Sequence, residues 1–142
     1  MKKILFLFVF CSSFASEGIS QFHFGGGGQL IFDSTIFGAQ GKLFYEYDET
    51  WRGAGSFTLH FNDGINWTID LDAHYLLLDI GESFNLAPVA GLAITNFDSG
   101  SDIGINLGAF IDLNFESRHI YIEPKIVLSG VRSVVVSGGV FF

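Results

Sequence analysis

The sequence predicts an all-β fold: an eight-stranded antiparallel up-and-down transmembrane β-barrel, preceded by a signal peptide that is cleaved. Three observations predict it. Beyond the first twenty residues the chain breaks into eight runs of alternating apolar and polar residues, each about as long as a tilted strand crossing a bilayer. One face of every run is apolar and free of charge. The last run, Val134-Val135-Val136-Ser137-Gly138-Gly139-Val140-Phe141-Phe142, puts Val134, Val136, Val140 and Phe142 on one side and ends on an aromatic residue.

The amino terminus comes first. Met1-Lys2-Lys3 is a short basic region, and Ile4-Leu5-Phe6-Leu7-Phe8-Val9-Phe10 opens an apolar stretch too short to span a bilayer but suited to the core of a secretory signal. Small residues permit cleavage after Ala15 or after Ser20. The second fits better, because Gln21 opens the first strand, so residues 1–20 are assigned to the signal and 21–142 to one barrel domain. Cys11 is the only cysteine, and bulky Phe10 before it argues against a lipoprotein signal. The processed chain would then hold no thiol for disulfides or thiolate metal sites.

Cutting at Gln21 removes Lys2, Lys3 and Glu17, leaving 5 basic against 14 acidic residues and a net charge of −9. That balance argues against nucleic acid as a partner. The remaining 122 residues suit one domain.

The eight runs fall at 21–32, 36–47, 53–62, 67–78, 84–96, 102–115, 119–128 and 134–142, separated by turns rich in Asp, Gly, Ser and Asn. Alternation assigns Phe22, Phe24, Leu30 and Phe32 of the first and Phe37, Leu43, Tyr45 and Tyr47 of the second to the apolar face. The third supplies Phe57, Leu59 and Phe61; the fourth Trp67, Ile69, Leu71, Ala73, Tyr75 and Leu77. The fifth adds Phe84, Leu86, Leu92 and Ile94, the sixth the series from Ile103 to Phe115, and the seventh Ile120, Ile122, Ile126 and Leu128. No charge falls among them. In water such a face would far exceed the apolar patches that soluble monomers expose, so it must meet hydrocarbon. Aromatic residues then sort into two rims, Phe32, Phe37, Phe61 and Trp67 at one and Phe22, Tyr45, Tyr75, Phe84 and Phe142 among those at the other.

The opposite face lines the lumen. It carries a candidate polar network of Lys42, Asp70, Asp72, His74, Asp112, Glu123 and Lys125, whose burial would demand hydrogen-bonding partners. With Glu46 and Asp102 the face holds six acids against two lysines, a net negative lumen. Its upper half reads as polar, through Ser56, Thr58, His60, Asn62, Asp102 and Asn106. The histidines His23, His60, His74 and His119 share lumen parity but come from separate strands, which argues against a metal site. No cofactor is implied. Gly25 to Gly28 is not a phosphate loop, since no helix follows it. Pro88 and Pro124 fall inside predicted strands, where each removes a ladder donor and marks a bulge or a shifted boundary.

This pattern resembles the small eight-stranded outer-membrane barrels of the OmpX and OmpA-transmembrane type, and the closing hairpin from Ile120 to Phe142 looks like that of porin-like outer-membrane β-barrel domains. The resemblance implies an address in the outer membrane of a Gram-negative envelope, with lipid as solvent. It also implies that Val136, Val140 and Phe142 form the signal read by the barrel-assembly machinery. Some barrels of this kind modify lipid A, but the lipid-facing His-x-Ser constellation is missing here, and so is an apolar slot for an acyl chain among the upper-half residues. The expectation is therefore a monomeric, non-enzymatic, structural or envelope-maintenance protein with a plugged polar lumen, because eight strands leave an interior just wide enough for side chains. The alternatives are a small cation-leaky channel, a lipid-modifying enzyme, or a secreted soluble lipocalin-like carrier. Adhesion is disfavoured by short outer connections at Asp33–Thr35, Asp63–Asn66, Asp98–Ser101 and Ser129–Ser133.

Overall fold

A computed structural model of the chain describes residues 22–79, 84–130 and 132–142. The expected signal segment and its two cleavage points lie outside the described residues. Among those described, nine strand segments follow one another: β1 (Phe22–Ile31), β2 (Ile36–Glu46), β3 (Trp51–His60), β4 (Ile65–Tyr75), β5 (Leu77–Asp79), β6 (Phe84–Phe97), β7 (Gly100–Phe115), β8 (Arg118–Leu128) and β9 (Arg132–Phe141). Each pairs antiparallel with its chain neighbour, β5 being a short continuation of β4 that keeps to β6. The first and last strands also pair, from Gly25↔Phe141 to Ile31↔Val135. This closes the wall into an eight-stranded all-β barrel with no free edge.

Alternation along the strands produces two unlike surfaces. On the outside, Leu71 is 59% exposed and Ile103 65%, with Leu92, Ile105, Leu107 and Phe57 similarly open. Inside, Lys42, Asp70, Asp72, Glu123 and Lys125 are buried. The described outward side chains of the strands carry charge only at strand ends, Arg118 opening β8 and Arg132 opening β9. Aromatic pairs stiffen the outer surface near its margins, Trp51 against Tyr75 at 5.0 Å and Phe57 against Trp67 at 6.3 Å.

The start of β1 and the end of β9 meet at one rim, here the lower; the turns after β1, β3, β6 and β8 define the upper. The turns after β6 and β8 are shorter than the sequence suggests, because Gly100 and Arg132 already belong to strands, while the turn after β3 keeps its length with bounds shifted to 61–64. At the lower rim Glu116 and Ser117 join β7 to β8 with φ of 49° and 67°, the left-handed pair that a two-residue hairpin needs. Part of the seam between β1 and β9 is bare backbone, where Gly27 and Gly28 face Gly139 and Gly138. A Cβ on Gly27 would stand 2.0 Å from the Gly138 carbonyl oxygen, and one on Gly139 would stand 2.2 Å from that of Gly26, so only glycine permits this approach.

Neither proline produces a bulge. The β4–β6 ladder reaches His74↔Val89 and resumes in the same register at Leu77↔Leu86, so the rung opposite Pro88 is skipped. The Leu76 amide, displaced from the ladder, donates to the Thr50 carbonyl at 2.7 Å. Between β7 and β8 the rungs Gly108↔Lys125 and Ile111↔Ile122 likewise share one register while the two at Pro124 and Glu123 are missing. A proline without an N–H is accommodated by losing a rung and leaving the side-chain alternation intact.

Candidate functional site

The lumen is layered. At mid-height β2, β4, β7 and β8 converge on a belt of ions. Lys42 on β2 donates to both carboxylate oxygens of Glu123 at 2.6 Å. Lys125, two residues on from Glu123 and so on the same face, donates to Asp72 Oδ2 at 2.9 Å and stands 3.2 Å from Glu123 Oε1 and 3.4 Å from Asp70 Oδ1. The Asn106 amide donates to Asp70 and Asp72 at 2.8 Å each, and the Ser56 hydroxyl to Asp70 at 3.1 Å. Every oxygen of the three carboxylates thus has a partner, the condition under which buried ions are tolerated. Gly91 and Gly108 make the room: a Cβ on the first would collide with Asp72 and one on the second with Lys125.

Below the belt lies an aromatic floor. Phe44, Phe110, Tyr121 and Phe141 pack around one another, Phe44 and Phe110 edge to face at 5.4 Å and Phe110 and Tyr121 stacked at 5.5 Å. The Arg52 guanidinium lies 4.4 Å from the Phe110 ring centroid and 4.9 Å from that of Phe44, in cation–π contact with both. It also donates to His74 Nδ1 at 3.1 Å. Arginine can only donate, so that nitrogen accepts and the ring proton sits on Nε2, 3.5 Å from Glu123.

Above the belt Gln40 gathers neutral partners. Its amide nitrogen lies within 3.4 Å of Ser56, Thr58 and Ser137, and its oxygen accepts from the Tyr121 hydroxyl at 3.1 Å. Above that the lumen opens into a cup at the upper rim.

The structure brings Lys42, Asp70, Asp72, Glu123 and Lys125 into one connected group, with His74 at its lower margin. Asp112 stands apart, near the lower rim, 3.5 Å from His119. Two features depart from the sequence reading. Arg52 is buried in the lumen, whereas the expected third strand began one residue too late to include it. Buried acids Asp70, Asp72, Asp112 and Glu123 therefore face buried bases Lys42, Arg52 and Lys125, so Arg52 adds a third base to the net negative lumen expected. The upper half is also not uniformly polar, since Ile31, Ile36 and Val135 form an inward apolar cluster there, with Ile65 and Val127 packed against it. Continuing the alternation two residues before Gly53, with Trp51 outward, would have found Arg52. The histidines do not converge: His60 bonds Thr68 near the upper rim, His74 lies in the floor, and His23 and His119 flank Phe141 below. Among the described residues no group of three or more His, Cys, Asp or Glu is placed to hold a metal ion.

The architecture has solved counterparts. The N-terminal β-barrel domain of Pseudomonas aeruginosa OprF is similar, with a TM-score of 0.68 and 19% identity over 85% of this chain and 96% of that one. The attachment invasion locus protein Ail of Yersinia pestis is similar at a TM-score of 0.50 and 18% identity, and its complex with the heparin analogue sucrose octasulfate at 0.51 and 19%, both over 85% of this chain and 96% of theirs. The fold is that of eight-stranded outer-membrane barrels. No protein-family model and no curated protein matches the sequence. At these identities the likeness speaks to fold alone.

Proposed function

We propose that the chain is an integral outer-membrane β-barrel, a non-enzymatic structural element of the envelope whose lumen is closed to solutes. One observation carries this reading: the barrel is inverted, with leucine, isoleucine and aromatic side chains outward and Lys42, Lys125, Asp70, Asp72, Asp112 and Glu123 buried within. A soluble carrier of the lipocalin kind needs the reverse arrangement. The belt and the aromatic floor support the closed lumen, since an eight-stranded interior has little space beyond its own side chains. In this reading Val136 and Val140 on β9 and Phe142 just beyond it are met by the assembly machinery, and both ends of the barrel face the periplasm. Adhesion draws no support from the short upper turns.

The test is refolding. The chain should fold in detergent or lipid to a β-rich, heat-modifiable species, partition with outer membranes, and pass no steady current in planar bilayers under symmetric salt. Recovery of a folded monomer from water without detergent would overturn the membrane assignment. Stable, long-lived openings of porin size would overturn the closed lumen.

A further inference from the structure

The cup at the upper rim is not explained by a structural role. Its cavity of about 350 Å³ reaches from the turn after β1 down to Asp70. One wall is apolar, built by Ile31 on β1, Val135 on β9 and Val127 on β8, three adjacent strands. These are inward positions, where a merely water-filled mouth would carry polar groups. The rest of the lining mixes the two kinds, with Thr68 hydrogen-bonded to Thr95 at 3.3 Å and Asp102 on the neighbouring strand beside Ile65, Ala93 and Phe97.

Charge decides what such a cup would hold. Its lining includes the carboxylates of Asp33, Asp70 and Asp102 and, among the described residues, no lysine or arginine. Asp70 is already matched by Lys125 at the floor. Asp33 accepts the Val134 amide at 2.7 Å and Asp102 the amide of Ile103 at 2.9 Å, contacts that hold each carboxylate in place without pairing it to a cation among the described residues. Two negative charges beside an apolar wall complement a positive group attached to a compact hydrocarbon body.

We propose that the cup is a binding site for small amphiphilic organic cations, in which a protonated amine lies between Asp33 and Asp102 and its hydrocarbon part covers Ile31, Val127 and Val135. An anion would be repelled, and a neutral isostere would lose the charge pairing. The inference requires the barrel but not its placement in a membrane.

Cyclohexylammonium is a suitable probe, compared with cyclohexanol and cyclohexanecarboxylate on the chain refolded in lipid nanodiscs, with methyl NMR shifts as the readout. Ile31 and Val135 should shift saturably with the amine, while outward-facing Ile103 reports partition into lipid and confirms that the barrel is folded. D33N and D102N should each weaken binding about threefold and the pair about tenfold, in line with half-exposed charge pairs. D63N, a rim carboxylate outside the cup, should leave binding unchanged. Equal affinity for the alcohol, shifts that survive the double variant, or no saturation in a barrel that Ile103 shows to be folded would each overturn the site and leave the barrel reading untouched. Failure to fold in lipid at all would count against that reading instead.

Discussion

The middle of the lumen and its upper cup share β4, β7 and β8, yet they solve opposite problems. In the belt every carboxylate oxygen of Asp70, Asp72 and Glu123 is matched by a donor from another strand, and the ions are buried almost completely. In the cup the carboxylates of Asp33 and Asp102 are held by backbone amides, with no lysine or arginine among the described residues of the lining. A network whose carboxylates are all matched fixes the spacing of the walls. An unsaturated one keeps binding capacity in reserve, which is what separates a structural layer from a candidate site within one tube.

The largest effect that tests this contrast lies in the belt. Glu123→Gln strips Lys42 of its only carboxylate within hydrogen-bonding distance among the described residues while leaving its ammonium buried, and breaking such a pair costs about 3–5 kcal/mol. Urea unfolding in lipid vesicles should show that loss. The double variant Glu123→Leu with Lys42→Met removes both charges and should lose less than the single substitution, because the penalty comes from the orphaned ion more than from the missing attraction. A single variant within about 1 kcal/mol of the parent protein would mean the belt is hydrated and loose.

How far the sequence showed this can be judged residue by residue. The alternation put Lys42, Asp70, Asp72, Glu123 and Lys125 on one face, because a period of two survives any small error in strand ends. It could not pair them, since Lys42 and Glu123 are 81 residues apart and parity names a face but not the partner across the tube. Arg52 was lost to a boundary. Phe44, Tyr121 and Phe141 went uncounted although parity turns them inward, because a polar lumen was assumed and aromatic residues were sought on the other face. Ile31 and Val135 escaped for the same reason. Where inward residues are apolar the two-letter pattern no longer distinguishes faces, and those places proved to be the floor and the cup.

A smaller effect sharpens the comparison across the wall itself. Leu71 lies between Asp70 and Asp72, and one step along β4 separates the ion belt from a side chain that is 59% exposed. Leu71→Arg, like Leu107→Arg on β7, should destabilise the barrel by about 2–4 kcal/mol in lipid, the cost of a cation near the bilayer midplane. An arginine introduced at an outward position near the rims should cost about 0–1 kcal/mol, and the native chain already places Arg118 and Arg132 at strand ends. Equal tolerance at Leu71 in lipid and at the rims would show that this surface does not meet hydrocarbon.

The smallest effect belongs to the cup. Asp33 ties the turn between β1 and β2 to β9 through the Val134 amide at 2.7 Å, across the seam where the barrel closes. Asp33→Ala deletes that acceptor at an exposed site, where water can replace it, and should cost about 0.5–1.5 kcal/mol. Asp33→Asn keeps an acceptor oxygen and should cost less, while removing the charge that the amine site requires. The two substitutions therefore separate the residue's two roles: stability measured by urea unfolding should follow the hydrogen bond, and amine binding should follow the charge. If Asn and Ala were equally destabilising, the carboxylate would be holding the seam by its charge, and the cup would be a structural layer like the belt below it.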